Sequence, residues 1–407
     1  MARQAERARG CELTRPTRAE AFAVVAPGLE GVAAAEMRSA GLLPREHVVG
    51  GIPFSATPSA LFRANLELRT VTRVLVRIAA FRATTFRELE RVTRGLPWEE
   101  FLSAGARAEL RVTCRKSKLY HSDAVAQRVR EAIARRVRDV GVATAAPEAP
   151  DDEASDALPG DAADTTPAQL FVVRFDHDEC QISADASGAL LHRRGYRLAT
   201  AKAPLRETLA AAALLAAGYD GRSPLLDPLC GAGTIAIEAA MIARHIAPGL
   251  GRSFACERWP NAAAAEFAAL RDAALSRILE QSPAAIVASD RDEGAIAAVI
   301  ANAKRAGVGS DMDVRCCSLS AATVPAGAGL LLTNPPYGAR VGGSTDLRNL
   351  YAQIGNLARR KLAGWTVAMV SADRELERQS GLPLEPALRF RNGGIPVRLM
   401  QALVSPS

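Results

Sequence analysis

The chain has 407 residues, of which 48% are hydrophobic, so it is long enough for two or three domains with packed cores. No apolar run approaches the ~20 residues of a membrane span, and the mixed Arg and Glu of residues 1–20 predict a basic tail rather than a secretory signal. The seven cysteines are scattered, form no CxxC pair and lie apart from the five histidines. This pattern argues against zinc sites and disulfide frameworks, and it predicts a cytoplasmic protein without a metal or membrane partner.

Charge is unevenly distributed along the chain. The formal net charge is +7, yet residues 147–167 contain seven acids and no Lys or Arg, so the remainder is more basic than the total indicates. A basic body suggests a polyanionic partner such as nucleic acid. The acidic segment is rich in Ala, Asp and Pro and has no apolar periodicity, which predicts a disordered loop.

The first 188 residues predict two small units. The expected elements are strand 21–25, helix 29–40, mixed strand and turn 66–80, strand 108–113, helix 123–140 and strand 170–175. We assign the first elements to an α+β unit over 21–70 and the others to an α/β unit over 71–188. The acidic segment 147–167 falls between two elements of the second unit, so we expect an insertion within it rather than a domain boundary.

From residue 189 to residue 407 the pattern changes to alternating strands and helices. The expected strands are 224–226, 284–289, 330–333 and 365–370, and the expected helices are 205–217, 234–245, 292–306 and 346–362. Such repetition implies an α/β fold with a mostly parallel sheet and helices on both faces. Ligands bind outside the carboxyl ends of the strands in such sheets, so the residues at those ends are the candidate site.

The first of these strands leads into a glycine loop. The stretch from Asp227 to Thr234 reads D-P-L-C-G-A-G-T. Gly231 and Gly233 allow a sharp turn and a close approach by a ligand, and the free N–H groups of the helix that begins near Thr234 point at that ligand. No Lys-Ser or Lys-Thr pair follows, which disfavours a P-loop for ATP. We therefore predict a pocket for a nucleoside-bearing cofactor.

Two acids compete for a role at the end of the next strand. Asp290 stands where an acid can accept hydrogen bonds from both ribose hydroxyls, as in dinucleotide-binding folds. Asp292 is the alternative, but its position predicts the N-cap of the following helix, so Asp290 is favoured. The 63 residues from Asp227 to Asp290 exceed the usual spacing of ~20, because residues 245–283 add Trp259 and an Ala-rich helix.

Asn334, Pro335, Pro336 and Tyr337 follow the third predicted strand. The two prolines fix φ and hold the backbone rigid. The Asn334 side-chain oxygen and the Pro335 carbonyl can both accept from one exocyclic amine, which directs the nitrogen lone pair toward a methyl donor, and Tyr337 can stack on the base. Alone, the tetrapeptide would be read as a Pro-Pro turn. Together with the glycine loop and Asp290, it predicts methyl transfer from S-adenosylmethionine to an amino group.

Two basic segments have no place in this site. Residues 115–121 read R-K-S-K-L-Y-H and residues 191–197 read L-H-R-R-G-Y-R. Both interleave cations with aromatic residues, which suits phosphate contact and base stacking. The candidate RNA-binding residues are Lys116, Lys118, Arg193 and Arg197. For each segment a solvated turn is the alternative interpretation.

These motifs together resemble those of the THUMP-domain guanine-N2 RNA methyltransferases. From about residue 21 to residue 404 the chain is similar to the N-terminal half of the bacterial 23S ribosomal RNA methyltransferase RlmKL. The most specific matches are the segments 116–121, 191–197, 226–240, 246–249 and 334–338. The resemblance implies a ferredoxin-like unit over 21–70, a THUMP RNA-binding domain over 71–188 and a Rossmann-like class I methyltransferase domain over 189–407.

The resemblance also implies residue roles. Its implied S-adenosylmethionine contacts are Asp227, Gly231, Gly233 and Asp290, and its implied target-amine contacts are Asn334, Pro335, Pro336 and Tyr337. We add Pro228, Cys230 and Thr234 of the same loop as predicted cofactor-binding residues. Many class I methyltransferases place an acid near the adenine after the third strand, whereas Cys317-Ser318-Leu319 stand there in this chain. We take Ser318 as the candidate adenine contact.

The implied substrate is guanine N2 in 23S ribosomal RNA or a large-subunit precursor, with tRNA as an alternative on the same scaffold. A protein methyltransferase acting on glutamine amides uses the same Asn-Pro-Pro-Tyr, although the basic front half argues against it. A non-catalytic RNA-binding or assembly factor that retains the fold is the alternative from a different class.

Overall fold

The computed structural model describes residues 19–145, 167–198, 205–337 and 344–405. The predicted basic tail, 1–20, and the predicted acidic insertion, 147–167, lie almost wholly outside these ranges. Within them the chain forms two seven-stranded sheets, one from each half of the sequence. No helix in these four ranges is long and apolar enough to cross a lipid bilayer.

The N-terminal sheet is mixed. In chain order the elements of this half are β1 (Ala19–Val25), α1 (Glu30–Ser39), β2 (Gly51–Ala56), α2 (Pro58–Glu67), β3 (Val71–Arg82), α3 (Phe86–Thr93), β4 (Arg107–Arg115), α4 (Ser122–Arg136), β5 (Gly141–Thr144), β6 (Gln169–Asp176) and β7 (Glu179–Asp185). The strand order is β2-β1-β3-β7-β6-β4-β5. Strand β4 runs parallel to β5 and β6, and the other neighbours are antiparallel.

Strand β3 joins the two N-terminal units into one sheet. It pairs with β1 on one side and with β7 on the other, so the boundary that we expected at residues 70 and 71 falls at the start of a shared strand. The sequence did not predict β2, which contains Pro53. Proline cannot donate to a strand ladder and is confined to edge strands, and β2 is the edge strand of this sheet.

The C-terminal half contains the expected repeat of strands and helices. In chain order its elements are α5 (Glu207–Ala216), β8 (Leu225–Asp227), α6 (Thr234–Ala243), α7 (Ala264–Ser276), β9 (Ile286–Asp290), α8 (Glu293–Arg305), β10 (Met312–Cys316), β11 (Leu330–Thr333), α9 (Ser344–Lys361), β12 (Thr366–Ser371), α10 (Arg374–Gln379), β13 (Glu385–Asn392) and β14 (Ile395–Leu403). The four predicted strands and four predicted helices of this half are all present, with ends displaced by two residues at most.

The C-terminal sheet has the strand order β10-β9-β8-β11-β12-β14-β13. Strands β8 to β12 are parallel to their neighbours in this group, and β14 runs antiparallel to both β12 and β13. Apolar clusters cover both faces: one contains α5, α6 and α8, and the other contains α9. The hairpin of β13 and β14 was not predicted from the sequence.

The junction between the two halves is built around a buried carboxylate. Glu238 on α6 is fully buried, and its Oε1 accepts hydrogen bonds from the Tyr196 hydroxyl at 3.1 Å and from Arg194 Nε at 3.4 Å. Arg69, between α2 and β3, approaches the other carboxylate oxygen at 3.9 Å and donates to Ile246 O at 2.6 Å. Arg194 also donates to Arg69 O at 2.6 Å. One charge network therefore connects the two halves.

Candidate cofactor and acceptor site

The carboxyl ends of three strands meet at one edge of the C-terminal sheet, because β8 lies between β9 and β11. Strand β8 ends at Asp227, β9 ends at Asp290, and β11 ends immediately before Asn334. Strands β9 and β10 lie on one side of β8, while β11 and β12 lie on the other. Ligands of open α/β sheets bind in the crevice at such a switch point. The fold thus brings the three predicted positions to one edge.

The glycine loop after β8 is held in a tight turn. Gly231 N donates to Asp290 Oδ2 at 3.0 Å, and Gly233 N donates to Cys230 O at 2.8 Å. The φ angles of Gly231 and Gly233 are +52° and +83°. A Cβ atom on Gly233 would lie 2.8 Å from Val299 Cγ1. Glycine is therefore needed at position 233 for both its conformation and its small volume.

Asn302 on α8 supports the loop from behind. It is fully buried, its Nδ2 donates to Ala232 O at 3.1 Å, and Arg305 donates to its Oδ1. The first N–H groups of α6, which begins at Thr234, have no partner within the helix. The sequence did not reveal Asn302, since no local motif links it to a loop 70 residues earlier. Loop and helix start together form a cradle for hydrogen-bond acceptors of a ligand.

The structure separates the two competing acids. Asp292 is the N-cap of α8, as predicted, because its Oδ1 accepts from Ala295 N at 2.8 Å. Asp290 accepts from Gly231 N through Oδ2 and from Asp292 N at 3.1 Å through Oδ1. Each oxygen of an ionised carboxylate has further lone pairs. Asp290 is thus placed beside the glycine loop with capacity for additional donors.

Asp227 is a buried acid without a cation. Its residue exposure is 1%, Leu229 N donates to its Oδ1 at 3.4 Å, and no Lys or Arg in the described ranges forms an ion pair with it. Burial, with a smaller contribution from the Asp290 charge, raises the pKa of the Asp227 carboxyl to about 7, although hydrogen bonds from Thr333 and Leu229 N oppose the rise. A positively charged ligand would favour the ionised form.

Asn334 carries a buried acceptor that has no donor. Its Oδ1 has no hydrogen-bond partner among the residues that the structure describes, although buried polar groups are usually paired. Leaving such an oxygen unpaired costs about 1–3 kcal/mol. Pro335 is buried and Pro336 is half-buried, and both restrict the backbone that carries Asn334. The acceptor is therefore held rigidly at the carboxyl end of β11.

Tyr337 is fixed by a residue that the sequence did not reveal. The Tyr337 hydroxyl accepts a hydrogen bond from Asn392 Nδ2 at 2.7 Å. Burial raises the pKa of Tyr337, and the Asn392 hydrogen bond partly opposes this. Asn392 ends β13 and is followed by Gly393 and Gly394, with φ values of +57° and +74°. Asn-Gly-Gly is a hairpin signal, so the turn was detectable from sequence even though the contact with Tyr337 was not.

The other predicted cofactor residues lie at the same edge. Pro228 and Cys230 belong to the glycine loop, and Thr234 begins α6. Burial raises the pKa of the Cys230 thiol, so Cys230 remains a neutral apolar group rather than a nucleophile. Ser318 follows β10, is exposed, and shares a hydrogen bond of 3.1 Å with Ser320 Oγ. Within the described ranges no three His, Cys, Asp or Glu residues are grouped as metal ligands.

The first basic segment is exposed. Lys116, Lys118 and Tyr120 lie between β4 and α4, and Tyr120 is 67% exposed. The loop has a defined backbone, because Lys116 adopts a φ of +46° and Lys118 N donates to Asp178 Oδ1 at 2.7 Å. The His121 ring lies against Tyr120 with centroids 4.0 Å apart. Both lysine side chains and an aromatic face are thus accessible at one loop.

Most of the second basic segment is buried, unlike the first. Arg197 is 9% exposed, its Nε lies 3.4 Å from Glu207 Oε1, and its Nη1 donates to Leu205 O at 3.1 Å. Arg193 is half-buried and already has partners within the protein. Arg197 therefore serves as an internal ion pair, and its burial argues against direct contact with RNA phosphates. Charge pattern alone did not distinguish this segment from the first.

Comparison with known proteins agrees with this arrangement. Residues 194–390 match the family described as "RMKL-like, methyltransferase domain", and residues 20–75 match the "RlmL ferredoxin-like domain". "Putative RNA methyltransferase slr0064" of Synechocystis sp. is 32% identical over 93% of this chain and 95% of its own length. The chain belongs to the RMKL-like methyltransferase family.

Two further relatives extend the comparison. The "Ribosomal RNA large subunit methyltransferase K/L" of Syntrophotalea carbinolica is 34% identical over 93% of this chain but only 53% of its own length. The chain thus spans about half the length of the K/L relatives that it matches. The crystal structure of SMU.472, "a putative methyltransferase complexed with SAH", has a TM-score of 0.82 and 27% identity, and the match covers 96% of this chain and 99% of that one.

Family membership confirms several expectations for this RMKL-like methyltransferase. The fold is α/β, with a ferredoxin-like N-terminal domain and a C-terminal class I methyltransferase domain. S-adenosylmethionine is its cofactor. The glycine cradle, the cation-free Asp227 and the unpaired Asn334 oxygen fit that molecule and an amine acceptor. The THUMP assignment of residues 71–188 and the roles of individual site residues stay predictions.

Proposed function

We propose that this RMKL-like methyltransferase methylates the exocyclic N2 of a guanine in 23S ribosomal RNA. The observation that carries the proposal is the buried Asn334 Oδ1, which lacks a partner in the described part of the chain. It stands at the end of β11, the strand next to the one that ends at Asp227. An acceptor at this place can take an N–H from an amino group, and the K/L relatives carry a ribosomal RNA name.

The cofactor would be held by the ends of β8 and β9. S-adenosylmethionine supplies a methyl group on a positively charged sulfonium. Gly231 and Gly233 let the backbone approach it closely, and the Asp290 carboxylate can accept from ribose hydroxyls. The Asp227 carboxylate can balance its positive charge, and Ser318 can contact the adenine.

The acceptor amine would be held by the residues after β11. Asn334 Oδ1 and the Pro335 carbonyl accept the two N–H groups of guanine N2, which turns the nitrogen lone pair out of conjugation with the base. Tyr337, whose hydroxyl is fixed by Asn392, offers a ring face on which the guanine can stack. The nitrogen would then be the nucleophile toward the methyl carbon, with S-adenosylhomocysteine as the leaving group when the C–S bond breaks, and it would release one proton to water.

A guanine within an RNA helix cannot reach this edge without leaving its stack. The exposed Lys116, Lys118 and Tyr120 can hold the flanking RNA through phosphates and stacking. These residues lie on the loop between β4 and α4 in the N-terminal half, so RNA binding and methyl transfer are assigned to different halves of the chain.

The test is Asn334→Ala, assayed on protein-free large-subunit RNA from a strain in which the gene is deleted. Loss of a well-placed hydrogen-bonding group lowers rates by ~10²-fold or more, so methyl transfer should fall at least that much. Calorimetric affinity for S-adenosylmethionine should stay within about threefold, since Asn334 holds the acceptor. Asn356→Ala, an exposed asparagine on α9, is the matched control and should retain full activity.

Nucleoside mass spectrometry identifies the substrate. The deletion strain should lose N2-methylguanine from its large-subunit RNA, and wild type but not Asn334→Ala should restore it. If N2-methylguanine is lost from tRNA instead, guanine-N2 methylation is supported but the choice of 23S ribosomal RNA as substrate is contradicted. Loss of a glutamine-methylated protein would contradict guanine methylation, and a purified chain that binds no S-adenosylmethionine would indicate a non-catalytic RNA-binding factor.

A further inference from the structure

A tight turn of the N-terminal half presents two valines to solvent. Val48 and Val49 are 52% and 87% exposed. Val48 and Gly51 exchange two backbone hydrogen bonds of 3.0 Å. Gly50, which lies between Val49 and Gly51, has a φ of +87°. Tips of such turns usually carry Gly, Asn, Asp or Ser. Two adjacent exposed aliphatic side chains are therefore not explained by the fold of the turn.

The turn is held in one conformation by a buried acid. Glu30 at the start of α1 is 8% exposed, its Oε1 accepts from Gly50 N at 2.8 Å, and its Oε2 accepts from Gly28 N at 2.8 Å. Val25 N also donates to Gly50 O at 3.1 Å. The valine tip, Val48–Val49, is thus preorganised on the ferredoxin-like domain.

The same acid connects the valine tip to the strand that positions Tyr337. A Cβ atom on Gly28 would lie 1.9 Å from Arg389 O, so the Gly28 backbone lies directly against β13. Three residues further along, about 10 Å at 3.3 Å per residue, β13 ends at Asn392, which donates to the Tyr337 hydroxyl. Glu30 and Gly28 therefore connect the valine tip to the strand whose end, Asn392, fixes Tyr337.

The strand that Gly28 contacts carries two exposed cations. Arg389 and Arg391 on β13 are exposed, while Phe390 between them is buried. In the described ranges no acidic side chain pairs with either arginine. RNA is a polyanion whose bases offer apolar faces between its phosphates. The exposed valines can contact a base, and the unpaired arginines can contact phosphates.

We propose that the valine tip is a wedge that enters the RNA next to the target guanine and fills the place that this base leaves in the stack. Arg389 and Arg391 contact the flanking phosphates. This inference rests on the proposed function. Guanine N2 faces the minor groove, which is wide and shallow in A-form RNA, so a tight turn can reach the base step. Inserted apolar side chains unstack bases in this way in other nucleic-acid complexes.

The test compares the double variant Val48→Ser/Val49→Ser with wild type on two RNA hairpins. Both hairpins carry the guanine mapped by mass spectrometry, which is base-paired in one and faces a mismatch in the other. Unstacking costs a few kcal/mol per step, so the variant should lose about tenfold or more in kcat/KM on the paired hairpin and less than about threefold on the mismatched one. Leu275→Ser on α7, where the leucine is 51% exposed, should change neither value.

A fluorescence measurement supports the same comparison without methyl transfer. A hairpin with 2-aminopurine beside the target guanine should brighten when wild type loaded with S-adenosylhomocysteine binds, and it should not brighten with the double variant. Equal losses on both hairpins, or no loss on either, would overturn the wedge while leaving the proposed function intact. Absence of methyl transfer by wild type to either hairpin would instead overturn the proposed function, and the wedge with it.

Discussion

Two buried regions of this protein each contain an acid, but only one of these acids has a cation of the chain beside it. At the junction, Glu238 faces Arg69 and Arg194 and accepts from Tyr196. At the carboxyl edge of the C-terminal sheet, Asp227 has no ion-pair partner among the described residues. Both acids are almost fully buried, but the protein supplies a counter-charge to only one of them.

The difference indicates which region is structural and which one binds ligands. A buried charge is costly unless it is paired, so a fold that leaves one unpaired gives up stability at that place. A ligand of opposite charge can recover this cost on binding. Asp227 and the unpaired Asn334 oxygen meet this description, whereas the junction carboxylate faces two cations of the chain itself.

The largest expected effect is at the junction. Glu238→Ala would leave Arg194 buried without its carboxylate, and removing one partner of a buried ion pair costs about 3–5 kcal/mol. We expect the free energy of unfolding, measured by denaturant titration, to fall by that amount. Glu238→Gln retains an acceptor for Tyr196 and should lose less. A loss below about 1 kcal/mol for Glu238→Ala would show that the junction is not held by its charges.

The sequence predicted the C-terminal half well because its signals are local. Strands β8, β9 and β11 are short apolar runs that end in Asp227, Asp290 and Asn334, and parallel strands bring their ends to one edge whatever the order of the sheet. Candidate residues could therefore be selected without knowing the contacts.

Residues that act through distant contacts were not predictable. Asn392 lies 55 residues from Tyr337, and Glu238 lies 42 residues from Tyr196. The burial of Arg197 was not predictable for the same reason, because it depends on an ion pair with Glu207 that the fold encloses. The first segment remains exposed because the fold buries neither Lys116 nor Lys118.

The second expected effect is at Asp227 and depends on pH. Burial raises the pKa of the Asp227 carboxyl to about 7. Binding of a positively charged ligand favours the ionised form of this carboxyl. Affinity for S-adenosylmethionine should therefore increase as pH rises from 6 to 8. In Asp227→Asn this dependence should disappear, and affinity at pH 8 should fall by about tenfold, as for loss of one charged interaction. Isothermal titration calorimetry across this range measures both.

Stability without cofactor should change in the opposite direction. Because the folded pKa of Asp227 lies above its ordinary value near 4, the folded protein binds more protons than the unfolded chain between pH 4 and about 7. The contribution of Asp227 to stability therefore declines as pH rises through this window. Asp227→Asn should gain in melting temperature relative to wild type more at pH 8 than at pH 5. Equal differences at both pH values would contradict a perturbed Asp227.

The smallest expected effect separates the two basic segments. Lys116 and Lys118 are exposed and Arg197 is buried against Glu207, so only the lysines are placed to release counterions from RNA. Lys116→Ala/Lys118→Ala should weaken RNA binding a few-fold at low salt and flatten the plot of log affinity against log salt by about 0.7–0.9 for each phosphate that the variant no longer neutralises. Its free energy of unfolding should stay within about 0.5 kcal/mol of wild type, as for most surface substitutions.

Arg197→Ala should have the opposite pair of effects. It should lower the melting temperature and leave the salt dependence of RNA binding by the folded protein unchanged. If Arg197→Ala keeps the wild-type melting temperature but changes the slope of log affinity against log salt, Arg197 contacts RNA after all.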